Sequence, residues 1–486
     1  MVAGSLDSGL YPERLFPRLD VRDPLQPRDK SGDSGSEEVH GYAHNGFSVA
    51  EGGACGLDCA LARVADENIG RAEMTVVHLA RIYGLNGTGG AAIAATRLHL
   101  ALLKTGVDSH FVCIRPGEPG PNVHILPRGG LLHLAYRLLA KVLRDIWRFT
   151  PVRKSVSLNA LPLPGLARLL GTLKPDVVHI HWINMDFASY EQLGALKRRF
   201  PTCRFVVNLH DLFMINAIEP YPCQDARYVA GFTRANAGRL ERWLFARKRR
   251  LVERLAPAFI APSEWVAACC RRSVIGRGRP VFVVPNIIDT QLFNWAGAPA
   301  AAPTFKVLYG AHGGRANAFK GFAELRQALA RLPDDLKARI ELQIFGEDST
   351  ETQVDGFPVR FFGAVRDPRQ MAAIYRQVDV FAFPSREETQ GMTKIEALLC
   401  GCPVVAFDRT ACAEGIAHRV TGWVAPDGDV VRYAQGLAWV YGHYQTTDAT
   451  AWRHEIAQRT AQLMDPSRLV KKIIAVYQDE GRGRVA

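Results

Sequence analysis

Short apolar, β-branched runs recur along this chain with helical sequence between them, and that rhythm restricts the fold more than any other feature. D-V-V-H-I-H-W at 176–182, R-F-V-V-N-L at 204–209, A-F-I-A at 258–261 and V-F-V-V at 281–284 follow a first run, T-V-V-H-L-A-R-I-Y, at 75–83. Runs that are apolar at nearly every position belong to strands buried on both faces, and helices between them imply a parallel sheet. The stretch V-P-N-I-I-D-T-Q-L-F at 284–293, followed by A-G-A-P-A-A-A-P, reads as a connector. Alternation then restarts, with strands expected at 304–309, 340–345, 359–362 and 378–382 and helices at 321–331 and 368–376. The expected fold class is therefore α/β, with two Rossmann-like domains whose parallel sheets face each other across a cleft.

At 486 residues the chain exceeds one ordinary core, and two domains are expected. The reading assigns 74–290 to the first, 291–303 to the linker, 304–464 to the second, and 465–486 to a C-terminal helix crossing back to the first domain, with a tail. Residues 1–73, rich in Pro, Gly, Ser and Asp, are expected to be a disordered extension. That extension holds 7 Lys/Arg against 13 Asp/Glu, a net −6, which leaves +18 on the remainder of a chain whose total is +12. A basic body points to an anionic partner such as a nucleotide diphosphate or an acidic membrane surface. Neither a membrane span nor a signal segment is readable, so a cytoplasmic enzyme, peripheral on the inner membrane face, is expected. Ten scattered cysteines without C-x-x-C units fit reduced thiols and speak against a structural zinc site.

Chemistry concentrates at 385–407, S-R-E-E-T-Q-G-M-T-K-I-E-A-L-L-C-G-C-P-V-V-A-F, which reads as loop, helix, turn, strand. Glu388 and Glu396 bracket Gly391 at the opening turn of the helix. Unpaired N–H groups at a helix start carry partial positive charge, and a glycine there lets a phosphate approach. The two carboxylates suit hydroxyl groups on either side of it. A second glycine-rich turn, with Gly87, Gly89 and Gly90 after the first strand, also suits phosphate and matches G-x-G-x-x-A. A nicotinamide-binding site would want an acid at the end of the next strand, whereas Asp108 begins it. An NAD-dependent oxidoreductase is thus the enzymatic alternative, and a basic membrane-binding scaffold the non-enzymatic one.

Polar residues cluster at strand ends, where ligands of open α/β sheets bind: His179 and His181, then His210 and Asp211. His210 is the preferred candidate because it ends a strand and opens a long loop. Basic residues at Arg137, Lys141, Arg144 and Arg148 share one face of an expected helix at 131–149, a pattern suited to an anionic membrane. A second expected helix, 237–255, carries Arg247, Lys248, Arg249 and Arg250 in succession. No nucleic-acid module is recognisable, so nucleic acid is not expected as a partner.

The order H-I-H-W, N-L-H-D, A-P-S-E-W-V-A, V-P-N-I-I-D-T-Q-L-F, F-K-G-F, then V-D-V-F-A-F-P-S-R-E-E-T-Q-G-M-T-K-I-E-A-L-L-C-G-C-P-V-V-A-F resembles the family-four retaining glycosyltransferases of the GT-B fold, and among them the enzymes of bacterial exopolysaccharide assembly of the colanic acid type. The resemblance covers residues 74–475. It implies that Glu388 contacts the hydroxyls of the donor sugar, that Glu396 holds the ribose, that Gly391, Met392 and Thr393 receive the diphosphate, and that Lys320 neutralises it. His210 matches the histidine beside the donor sugar. Relatives carry an arginine in a G-R pair six residues before this lysine, where Gly314 stands here, and Arg315 one residue later is taken as the donor contact. Gln390 occupies a position where Phe is common.

The implied reaction is hexosyl transfer with retention from a nucleotide diphosphate sugar to a saccharide acceptor, lipid-linked in exopolysaccharide synthesis. The acceptor hydroxyl attacks on the face from which the diphosphate departs, and no protein nucleophile is required. No cofactor and no essential metal are expected. Asp427 and Asp429 form a D-x-D, which is read as a helix cap because it precedes a helix from Val430.

Overall fold

The computed structural model describes residues 74–478 apart from 86–88, 128–129, 131–133, 136–137, 139–141, 143–156, 185, 221–225, 298–302 and 311–312. The expected disordered extension, Gly87, and most of the expected 131–149 helix lie outside the described residues.

The first sheet has seven strands: β1 (Thr75–Leu79), β2 (Asp108–Cys113), β3 (Val123–Ile125), β4 (Val177–Ile180), β5 (Arg204–Asn208), β6 (Ala258–Ala261) and β7 (Val281–Val283), all parallel, in the order β3-β2-β1-β4-β5-β6-β7. The central strands are the apolar runs of the sequence, and β4 and β6 are buried at every position. The run at 75–83 does not form one strand: β1 stops at Leu79 and Ile82–Tyr83 pairs separately with Arg115–Pro116. Helix α1 (Gly90–Lys104) links β1 to β2 and carries lysine in its last turn, complementing the negative helix end.

The second sheet repeats the plan: β8 (Phe305–Gly310), β9 (Ile340–Phe345), β10 (Gln353–Val354), β11 (Phe357–Phe361), β12 (Val380–Phe383), β13 (Val404–Asp408) and β14 (Gly422–Pro426), ordered β10-β11-β9-β8-β12-β13-β14. Only the edge strand β10 runs antiparallel to its neighbour. In both sheets the order reverses beside the first strand, and ligands of such sheets bind in the crevice at that reversal.

Helix α2 (Arg239–Leu255) corrects the expected basic surface at 237–255. Arg249 and Arg250 are exposed, but Arg247 and Lys248 are buried. Lys248 Nζ donates to the carbonyls of Phe213, Asn216 and Ala217 at 2.7, 2.9 and 2.9 Å. Arg247 pairs with Glu191 at 2.6 Å and donates to the carbonyls of Leu158 and Asn159. Lys248 thus organises the loop after β5, and Arg247 ties the 158–159 segment to Glu191, so neither faces a membrane.

Helix α3 (Glu264–Arg272) packs on β6 and β7 of the first sheet, and α4 (Phe322–Leu329), α5 (Met392–Leu399), α6 (Val430–Thr446) and α7 (Ala449–Leu463) belong to the second. Helix α8 (Pro466–Gln478) returns to the first sheet, where it packs on α1 and where Tyr477 hydroxyl meets His179 Nδ1 at 2.7 Å. One apolar cluster therefore runs from Val76 and Leu98 through Ile473 and Val476 to Val307 and Phe381.

Candidate active site

The crevice of the second sheet opens between β8 and β12. The chain leaving β8 carries Arg315 and Lys320, and the chain leaving β12 carries Glu388 and turns into α5 at Gly391. Lys320 Nζ lies 2.5 Å from Glu388 Oε1, with the side chains 22% and 13% exposed. What brings the two loops together is Gly321, at φ 71°, because a Cβ there would sit 1.9 Å from the Pro384 carbonyl oxygen. Gly391, at φ 73°, ends the loop in a left-handed turn against Phe383, which exposes the first N–H groups of α5. Met392 and Thr393 occupy the first two helical positions, both half-buried.

Beneath α5 lies Lys394, a residue the sequence reading passed over. It is fully buried, and its Nζ donates to the carbonyls of Ala411, Cys412 and Glu414 at 2.8, 3.0 and 2.5 Å. Burial lowers its pKa to about 8. The lysine thereby ties the loop after β13 to the helix start, and Thr410 Oγ1 from that loop accepts from the Glu388 backbone N–H at 3.1 Å.

The first sheet supplies the opposite wall. Gly89, at φ 91°, precedes α1, and Gly90 begins it directly against the Met392 side chain. Two turns further, Arg97 Nη2 meets Glu396 Oε1 at 3.1 Å. Burial raises the Glu396 pKa, and Arg97 opposes that shift. Thr389 Oγ1 donates to the His210 carbonyl at 3.0 Å, which sets His210 beside the loop that bears Glu388. Burial lowers the His210 pKa to about 3, so its ring is neutral at physiological pH. Gln390 accepts from both nitrogens of Asn286, in the connector, at 3.0 Å (backbone) and 2.6 Å (side chain). Gln390 thereby makes a polar link between the motif and the connector.

His210, Lys320, Glu388, Gly391, Met392, Glu396, Gly89 and Gly90 thus line facing walls of one crevice, with Thr393 behind Met392. Arg315, on the same chain as Lys320, is engaged by two acids. Its guanidinium pairs with Glu347 at 2.5 Å and Glu351 at 2.8 Å and lies over the Phe361 ring. Arg97 is the site residue that sequence reasoning missed; it follows the glycine turn by two helical turns, and nothing local marks its partner. A cavity of about 610 Å³ is lined by Leu85, Asp289, Gln291, Leu292 and Arg366 among others, and Phe293, next in sequence to Leu292, lies under the Arg97 guanidinium. Of the D-x-D pair, Asp429 caps α6 by accepting from Val431 and Arg432 N–H groups, and Asp427 pairs with Arg409 at 3.2 Å.

Two lobes, each with a glycine-opened helix at its crevice, match known families along most of their length. Residues 88–292 match the family described as Glycosyltransferase Family 4, and residues 309–443 match Glycosyl transferases group 1. The chain belongs to the family-four glycosyltransferases of the GT-B fold. This glycosyltransferase is 25% identical over 374 residues to the Escherichia coli (strain K12) chain named as a colanic acid biosynthesis glycosyl transferase, WcaC, covering 71% of its own length and 87% of that chain's. Its fold is like that of sucrose-phosphate synthase from Thermosynechococcus elongatus (TM-score 0.54, 16% identity, 83% and 98% coverage) and of Anabaena HepE solved in complex with UDP-glucose (TM-score 0.52, 19% identity, 82% and 98% coverage). The glycosyltransferase moves a sugar from a nucleotide-sugar donor. The oxidoreductase and scaffold readings fall with this assignment, and β2 indeed closes on Cys113 with no acid at its carboxyl end.

Proposed function

We propose that the enzyme transfers a hexosyl unit, with retention, from a nucleotide diphosphate sugar to a saccharide acceptor carried on lipid in exopolysaccharide synthesis. The observation that carries this reading is the Lys320–Glu388 pair beside the start of α5. The pair is an exchange site: a diphosphate takes Lys320 and the helix N–H groups, and sugar hydroxyls take Glu388. Glu396 takes the ribose, and the heterocycle enters the cavity beside Leu292, adjacent to Phe293, over whose ring Arg97 lies 5.8 Å from the centroid. As the C1–phosphate oxygen bond breaks, the acceptor oxygen bonds to C1 on the same face and its proton passes to the departing phosphate. Lys320 and the helix start supply the positive charge that this departure needs, so no divalent metal is required.

UDP-sugars are the first donors to test, because the Anabaena neighbour was solved with UDP-glucose. The experiment measures nucleotide release and product anomeric configuration across UDP-, GDP- and ADP-sugars, with Glu388→Ala as control. An α-linked product from an α-configured donor is expected; a β-linked one overturns retention, and full activity of Glu388→Ala overturns the site.

One observation favours peripheral membrane contact. Leu134, Leu138 and Val142, spaced by four residues, are each more than half exposed, and in sequence Arg137 and Lys141 fall between them and Arg144 and Arg148 follow. Co-sedimentation with vesicles containing anionic lipid, lost at high salt, is the expected result; equal sedimentation with neutral vesicles rejects it.

A further inference from the structure

Five imidazoles pack behind the His210 wall: His78 on β1, His99 on α1, His179 on β4, His181 just after β4, and His210 itself. His78 and His179 face each other in register across the β1–β4 pair, at the strand-order reversal of the first sheet. His78 Nδ1 lies 2.9 Å from His181 Nε2, and His181 Nδ1 lies 2.9 Å from His210 Nε2. His78 and His181 are 0% and 3% exposed. Among the described residues, His78 Nε2 is buried without a hydrogen-bond partner.

A neutral imidazole has one donor and one acceptor, so two such contacts in series must run in the same sense. If His210 donates into the chain, His78 is left with a buried N–H that nothing accepts. If His78 donates, it is left with a bare lone pair. Buried orphan N–H groups are the rarer and costlier case. The chain therefore runs from His78 through His181 to His210, and His210 keeps its proton on Nδ1. The Asn208 amide nitrogen lies 3.3 Å from Nδ1 and 3.2 Å from Nε2 of that ring, so it can donate to the Nε2 lone pair and leaves the Nδ1–H for the donor.

We infer that His78 and His181 are positioning residues that fix the tautomer of His210, so that the ring meets the donor as an Nδ1–H donor and never as an acceptor. The inference rests on His210 lying beside the donor sugar, as in the function proposed above. Burial keeps His78, His181 and His210 neutral, which the serial argument requires.

The test is ¹⁵N long-range NMR of histidine-labelled protein, with the His210 signals assigned by their loss in His210→Asn. His181 and His210 are expected as Nδ1–H tautomers. Finding His210 protonated on Nε2 overturns the inference whether or not the enzyme turns over, while absence of turnover with the expected tautomers overturns the function and leaves the chain standing. His78→Phe removes the donor, and His78→Asn keeps an amide N–H near the Nδ1 position. His78→Phe is expected to mix the His210 tautomers and lower kcat about tenfold at unchanged donor KM, and His78→Asn to restore both. Equal loss in the two variants, with tautomers unmoved, overturns the inference. So does tight binding of one Co²⁺ with a visible band lost in His78→Phe, because His78, His179 and His181 would then be ligands.

Discussion

Arg97 and Glu396 stand 299 residues apart in sequence, on helices of different sheets, and their side chains meet at 3.1 Å with only 13% and 10% exposure. A carboxylate buried to that extent needs its partner, and removing one member of such a pair costs about 3 kcal/mol or more. Arg97→Met is expected to destabilise the protein by about that amount, and adding Glu396→Gln to recover most of it. A double-mutant cycle on the unfolding midpoint measures the coupling; strict additivity denies it.

Lys320 and Glu388, 22% and 13% exposed, are a partly buried couple placed for exchange with a ligand, so they are expected to matter to the reaction more than to the fold. Lys320→Ala is expected to lower the transfer rate by about 10²–10³, the range found for a lost electrostatic contact to a developing anion. Lys320→Arg recovers part of it, since a planar fork replaces a compact ammonium. Rates of nucleotide release check both, and a melting temperature within a degree or two of the parent's shows that folding is not the cause.

Two glycines of the crevice predict different failures. Gly321→Ala drives a Cβ into the Pro384 carbonyl, a backbone collision that is expected to cost at least about 3 kcal/mol and to appear as loss of folded protein. Gly391→Ala meets only the tip of the Phe383 ring at 2.9 Å and a left-handed backbone worth about 1–2 kcal/mol. That variant is expected to fold and to bind the donor at least tenfold more weakly, measured by calorimetric titration.

The buried imidazoles predict acid lability. Burial depresses the pKa of His99 to about 4, of His179 and His210 to about 3, and of His78 and His181 well below the usual value. Below about pH 6.5 the unfolded chain binds protons that the folded chain refuses, so stability is full above that pH and falls as pH decreases toward 4, by up to about 1.4 kcal/mol per pH unit for each group. Unfolding at pH 5 is expected to take up several protons, measured from the enthalpy in buffers of different ionisation heat. His78→Asn is expected to flatten the slope.

The parallel sheets were legible because doubly buried strands must be apolar throughout, and the 385–407 segment because one turn and one helix hold its residues together. Arg97 was not legible: its partner comes from the other lobe, and no local pattern encodes a contact across 299 residues. Lys248 misled for a related reason. Periodicity shows which residues share a helical face, but not that three carbonyls of the loop after β5 converge on that face. His181 was visible as a strand-end residue, whereas its contacts on both sides, to β1 and to the end of β5, exist only once the strand order is set.

The bond from Tyr477 to His179 sets an order of events during synthesis. His179 is on the central β4, and the tyrosine that satisfies its Nδ1 leaves the ribosome 298 residues later. Until then the first lobe holds its histidine face and the apolar side of α1 open, with Leu98 and Leu102 uncovered by α8. The first lobe thus completes its packing only when its late helix docks on its early sheet.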